Sequence, residues 1–503
     1  MSPRFARVGA ILAIGLFALA VRIPAAAGEP VADPPMPASQ ADAKASDRKP
    51  AAPDKLPWEK TPGKRPAPLL HPIASPREFL EKYGFGESQW AGFFSGQPLS
   101  AAEEESLVLI LSLYPRFGQE QVEAWAVRDV SWDQLAAAGA DHRAKILPLT
   151  GRVKRVAKID LPAEVAARCD FDHYYQVRMQ IFDAPYVAVV YCAEIPTSWK
   201  LDADLDEPAS GYPLFLKVGD AADDPLPLLF ATQRLAWHPD RPQANLQIDQ
   251  AHVALAKLGV DIGRFQDVGK TEGAGILASE REPFYQILAA LGDNQAAAVL
   301  KPQRPAMDVS QLLQNPQTYQ AHVLPVRGLA RRVARIDVDD VDIRQRFHID
   351  HYYEVDLTVP LEKKISLRAD PKKKEGAVLY ENSFPATICV RELPAGLSVG
   401  DNLRQSVEAD AVFFKIWHYH STFTAPAQLS QPAPLFLARQ VRLVKEEPPS
   451  RWVSDVLVGS AMVLAIATFV GIALWYRLSD RSQGRASALD DAKPPQPDFS
   501  NLR

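Results

Sequence analysis

Two stretches with chemical potential stand out, "FDHYYQVRM" at 171–179 and "IDHYYEVDL" at 349–357. Neighbouring aspartate and histidine can work as acid and base, and paired tyrosines can stack on a ring or a sugar. Tyr174, Tyr175, Tyr352 and Tyr353 are therefore the candidate binding residues. A plainer reading stands beside this one. In a strand, successive side chains face opposite ways, so one tyrosine of each pair would enter the core and its neighbour would face outward. Because two copies of a site rarely both stay catalytic, the repetition favours the structural reading.

The second stretch sits in a richer histidine context. "FHIDHYY" holds His348, Asp350 and His351, and "WHYHS" holds His418 and His420, whose i, i+2 spacing puts both on one face of a strand. His348, His351, His418 and His420 are thus candidate ligands for a transition metal, and a metal-dependent or other enzyme is the alternative functional reading. The first copy has Asp220 where the second has His418, which weakens a shared metal role. No cofactor is expected. "GRFQDVGKTEG" spaces Gly263 and Gly269 one residue too widely for a phosphate-binding loop, and no GxSxG, HExxH or EF-hand spacing occurs. A Ser/His/Asp arrangement scattered along the chain stays open, since geometry and not sequence order defines it.

The elements that must position these residues are written twice. "GRVKRVAKID" (151–160) matches "GLARRVARID" (328–337), "DHYYQV" matches "DHYYEV", "CAEIP" (192–196) matches "VRELP" (390–394), "LFLK" (214–217) matches "VFFK" (412–415), and "PLLFA" (227–231) matches "PLFLA" (434–438). Five blocks in one order indicate a duplicated unit of about 175 residues. Each copy has a helical preface: "SAAEEESLVLILSLY" places Leu107, Ile110, Leu111 and Tyr114 on one helix face, and "ASEREPFYQILAALG" is its counterpart. The organisation expected is a helical segment at 76–140 and strands at 141–240 for the first repeat, then 245–317 and 318–447 for the second.

Within the strand halves, runs rich in Val, Ile, Tyr and Phe alternate with turn signals, and the first strand of each is interrupted by Gly151 or Gly328. Five strands with a glycine-kinked first one look like a small OB-like barrel. "ATICVRELPAGLSVGDNLRQSVEADAVFFKIW" resembles the middle of bacterial OB-type domains, with a Gly400-Asp401 turn followed by the aromatic-lysine step of Phe413, Phe414 and Lys415. The first copy departs from this, since "SWKLDADLDEPASGY" has no Gly-Asp turn. The fold class expected is α+β: two tandem repeats of a helical segment followed by a small OB-like β-barrel, plus one C-terminal transmembrane helix.

The ends bear on compartment. Residues 1–27 carry Arg4 and Arg7, an apolar run and small residues at Ala25, Ala26 and Ala27, the pattern of a signal peptide. Residues 28–75 are rich in proline and alanine and read as an extended arm. An uncharged apolar run within 453–476, flanked by Trp452 and Trp475, reads as a membrane span, with 477–503 as a disordered cytoplasmic tail. These readings predict a single-pass protein of the cytoplasmic (inner) membrane with its bulk on the extracytoplasmic side.

Composition narrows the partners. With 56 basic and 61 acidic residues the net charge is only -5, so no global field favours nucleic acid, and Lys372, Lys373 and Lys374 read as a solvated loop. The three cysteines, Cys169, Cys192 and Cys389, fit no metal or redox spacing; one bridge between Cys169 and Cys192 is conceivable, and buried thiols are the simpler expectation. The reading reached is a membrane-anchored extracytoplasmic binding or scaffold protein that presents two related surfaces to an envelope protein or a cell-wall polymer.

Overall fold

The computed structural model describes residues 73–270, 277–302, 308–368, 377–420, 430–444, 459–475 and 477. The stretches read as a signal peptide, as a proline-rich arm up to residue 72 and as a cytoplasmic tail beyond 477, and the lysine run at 372–374, lie outside the described residues.

The chain begins with helix α1 (Pro76–Lys82) and the longer α2 (Ala101–Leu113). Helix α2 starts where Ser100 and Glu103 satisfy each other's exposed amides: the Ser100 hydroxyl accepts from Glu103 N at 3.4 Å, and the Glu103 carboxylate accepts from Ser100 N at 2.7 Å. Its Leu107, Ile110 and Leu111 are fully buried. Helix α3 (Gln119–Trp125) follows, and then the first strands, β1 (Leu149–Asp160), β2 (His173–Ile181), β3 (Val187–Cys192), β4 (Glu207–Gly211), β5 (Leu214–Val218), β6 (Pro227–Thr232) and β7 (Ala236–Trp237). The second half repeats the scheme: α4 (Gln250–Lys257), α5 (Ile262–Gly269) and α6 (Arg281–Gly292), then β8 (Val323–Asp337), α7 (Val341–Phe347), β9 (His351–Pro360), β10 (Ile365–Arg368), β11 (Ala377–Tyr380), β12 (Ser383–Glu392), β13 (Gln405–His420), β14 (Ser430–Gln440) and β15 (Arg442–Leu443).

These strands make three sheets, of seven, two and six strands, in a mixed α/β architecture. The seven-stranded order is β5-β6-β3-β2-β1-β4-β7 and the six-stranded order is β14-β12-β9-β8-β13-β15, with β13 also pairing β14. The expectation of a small closed OB-like barrel in each repeat is corrected by these pairings. In the first sheet the fourth run is split into β4 and β5 at Tyr212 and Pro213, where proline has no N–H for the ladder, and residues 213–215 bond instead to the irregular segment 144–147 ahead of β1. In the second half β13 is uninterrupted, reaching β8 with residues 405–412 and β14 with 412–420, and the sheet is extended by the edge strand β15. The charged insertion adds a separate two-stranded sheet, β10 with β11.

The transmembrane expectation is also corrected. Near the C-terminus the described helix covers 459–475, and among the described residues no helix is long and apolar enough to cross a membrane. The single-pass inner-membrane placement that rested on this helix falls with it.

One hydrophobic cluster runs through both halves, joining Leu135, Val177 and Trp237 to Phe265, Phe284, Tyr352 and Phe414. Two smaller clusters flank it, one under α1 and α2 and one inside the second sheet. Polar bonds stitch the same boundary: the Trp237 amide donates to Asp261 Oδ1 at 3.0 Å and the Lys270 ammonium donates to Thr197 Oγ1 at 2.6 Å.

Candidate functional site

The paired tyrosines divide as strand alternation requires. Tyr174 is buried and donates to Glu104 Oε1 at 2.7 Å, and Tyr352 is buried against Phe284 and Tyr285. Tyr175 and Tyr353 lie half-buried on the other face, each edge-on to the preceding histidine, His173 at 5.1 Å and His351 at 5.3 Å between ring centroids. Asp172 and Asp350 hold those histidines by hydrogen bonds, the second at 2.8 Å. The repeated stretch thus builds the same polar edge twice.

The histidine candidates of the second repeat are placed along three elements. His348 ends α7 in a left-handed conformation, with φ of 52°, and its carbonyl accepts from Arg391 at 3.2 Å. His351 opens β9, whereas His418 and His420 lie near the end of β13, opposite Pro432 and Ser430. Among the described residues no group of three or more His, Cys, Asp or Glu is arranged to hold a metal ion; the His420 side chain lies outside the description. Cys169, Cys192 and Cys389 are reduced and form no disulfide among the described residues, and burial pushes the Cys192 thiol well above its ordinary range.

A feature that the sequence reading did not single out is a pair of buried ion pairs at equivalent places. Lys217 Nζ lies 2.7 Å from Glu103 Oε1, and Lys415 Nζ lies 2.8 Å from Glu280 Oε1, with the side chains at most 2% exposed. Both lysines follow a bulge, at Phe215/Lys217 and Phe413/Lys415, which turns the ammonium toward the helical preface. Lys217 also donates to the carbonyls of Phe94 and Pro98 at 3.2 and 3.1 Å. Burial raises the Glu103 carboxyl, but the Lys217 ammonium and the Ser100 and Phe94 amides outweigh it, and the net shift is downward. These pairs clamp helix to sheet and are closed to solvent.

An open cleft of about 770 Å³ lies at the boundary of the two halves. The first half contributes Gln119, Glu123, Ser210, Arg234 and His238; the second contributes Asp261, Arg264, Arg281, Glu282, Asp342 and Arg346. Its far wall is a fixed charge network. Arg346 grips Glu282 through two bonds at 2.8 and 2.7 Å and Asp342 at 2.9 Å, Arg281 pairs with Asp340, and Asp342 accepts from the Glu120 amide of α3 at 2.8 Å. On the near wall Ser210 Oγ lies 2.8 Å from His238 Nε2, and His238 Nδ1 lies 3.2 Å from the Val260 carbonyl. Burial lowers the His238 imidazole below its ordinary range, against the opposing pull of Asp261 and the Val260 carbonyl. Arg234, with its side chain only 7% exposed, has no hydrogen-bond partner at Nε or Nη2 among the described residues and faces Asp261 and Asp267 at 3.6 and 3.8 Å. No local sequence signature marks this cleft, because Ser210 and His238 lie 28 positions apart and the far wall comes from the other repeat.

A second cavity of about 530 Å³ is lined by Ala251, Ala254, Lys257, Leu300 and Val323 and gathers no catalytic group.

No protein-family model matches the chain, and no curated protein matches it. Among solved structures, an ADP-ribosylating toxin, BECa of a novel binary enterotoxin of C. perfringens with NADH, aligns over 74% of this chain and 99% of its own at 10% identity, with a TM-score of 0.10. A likeness that faint carries no argument about fold or activity.

Proposed function

We propose that the chain is a binding or scaffold protein, built of two related helix-and-sheet units, that receives a polar segment of a partner protein in the cleft between them. The observation that carries this reading is the cleft's lining. Both repeats contribute to it, and it holds charges of both signs on a prearranged wall, which lowers the ordering cost of binding. Polar side chains already fixed by neighbours, such as Arg346 between Glu282 and Asp342, select a partner by matching charges and reject apolar ones.

The test is site-directed photo-crosslinking in extracts of the source cells. A crosslinker at Gln119 or Arg264, both on the cleft, is expected to capture one protein repeatedly, whereas one at the exposed Glu164, away from the cleft, captures none of it. Arg264→Glu is expected to weaken that capture at least tenfold. Equal capture from Glu164 and Gln119, or indifference to Arg264→Glu, would overturn the cleft as the binding surface.

A further inference from the structure

We propose that Ser210 is an activated nucleophile with His238 as its base, and that the cleft accepts an ester whose acyl portion carries negative charge. Strand pairing sets the geometry. Ser210 in β4 faces Ala236 in β7, and the His238 amide donates to the Pro208 carbonyl at 2.9 Å, so Ser210 and His238 are diagonal neighbours on one face. The tautomer follows from the partners. A carbonyl only accepts, so Nδ1 carries the proton given to Val260, and Nε2 presents its lone pair to the Ser210 hydroxyl at 2.8 Å. A serine hydrogen-bonded to a base that a third group orients is the arrangement nucleophilic catalysis requires.

The surroundings indicate the substrate. Both residues line the open cleft, as do Arg234 and Arg264 on their side of it, while the far-wall carboxylates Glu282, Asp342 and Asp340 are taken up by Arg346 and Arg281. The Arg264 guanidinium is 37% exposed and only 3.8 Å from Asp261, which leaves donors for a carboxylate. In the reaction, Ser210 Oγ bonds to the ester carbonyl carbon while its proton passes to His238 Nε2. The carbon–alkoxide bond then breaks, and the alcohol leaves with that proton. Water, deprotonated by the same nitrogen, attacks the acyl-serine, releasing the carboxylic acid and restoring the hydroxyl.

The experiment is labelling of the full chain with a fluorophosphonate, in which Ser210 Oγ bonds to phosphorus, the P–F bond breaks and fluoride leaves. Peptide mass spectrometry is expected to place the label on Ser210. Ser210→Ala should abolish it and His238→Gln should slow it at least tenfold, with melting temperatures unchanged. Arg264→Gln is expected to slow hydrolysis of a carboxylate-bearing nitrophenyl ester while sparing a neutral one. If His238→Gln does not fold, the labelling rate of the unaltered chain against pH replaces it: the rate should fall as the imidazole becomes protonated. Absence of label on folded protein, labelling equal in His238→Gln, or a rate flat with pH would each overturn the assignment.

Discussion

Lys217 illustrates how much a single buried charge depends on its partner. Its ammonium is fully enclosed and bonded to Glu103 and two carbonyls. Lys217→Met removes the ammonium and leaves the Glu103 carboxylate in a closed space, so a loss of about 3–5 kcal/mol is expected in urea unfolding. The double variant Glu103→Gln with Lys217→Met should recover part of that loss, and no recovery would show that the lysine acts by packing alone. The pH dependence has a definite sign. Glu103 has a lowered pKa in the fold, so its contribution is complete above the ordinary carboxylate range of about 4.3 and is lost as pH falls through the lower folded value. Unfolding curves for the unaltered chain should therefore steepen in acid below pH 4 relative to Lys217→Met.

The first strand of each sheet gives the element-scale lesson. Gly151 and Gly328 sit where β1 and β8 are paired on both sides, to β2 and β4 and to β9 and β13. A Cβ at Gly151 would lie 2.2 Å from the Gln180 carbonyl oxygen, and one at Gly328 would lie 2.7 Å from that of Thr358. Gly151→Ala and Gly328→Ala are each expected to cost about 1–3 kcal/mol in chemical denaturation, since backbone must move to admit the methyl group; a neutral result in both would mean that the strands can part without loss. These glycines were legible from sequence because they interrupt otherwise apolar, repeated runs. So were β2, β3, β5 and β6, each a run of branched and aromatic residues. Strand β4 was not: "EPASG" carries no run of branched or aromatic residues, and only its place between β1 and β7 makes it extended, an instance of tertiary pairing overriding local preference. Nothing in the sequence therefore marked Ser210, nor with it the near wall of the cleft.

At the scale of the molecule, the two halves are joined through shared interior. Phe265 of the second half's helices stacks on Phe414 and Phe284 meets it edge-on, in the same cluster as Trp237 and Val177 of the first half. Burial of one such side chain contributes about 1.5–3 kcal/mol, so separating the halves would cost a multiple of that. Calorimetry of residues 73–444 is expected to give a single transition, with the calorimetric and van't Hoff enthalpies in agreement; two resolved transitions would show that each half is stable alone. The shared interior also bears on descent. Duplicated units joined by a bare tether can be deleted, shuffled or lent to other genes one at a time. Once Phe414 of one copy rests in an interior that also holds Trp237 of the other, loss of either strands its sibling, and what began as redundancy becomes mutual dependence that later mutation can ornament but not easily reverse.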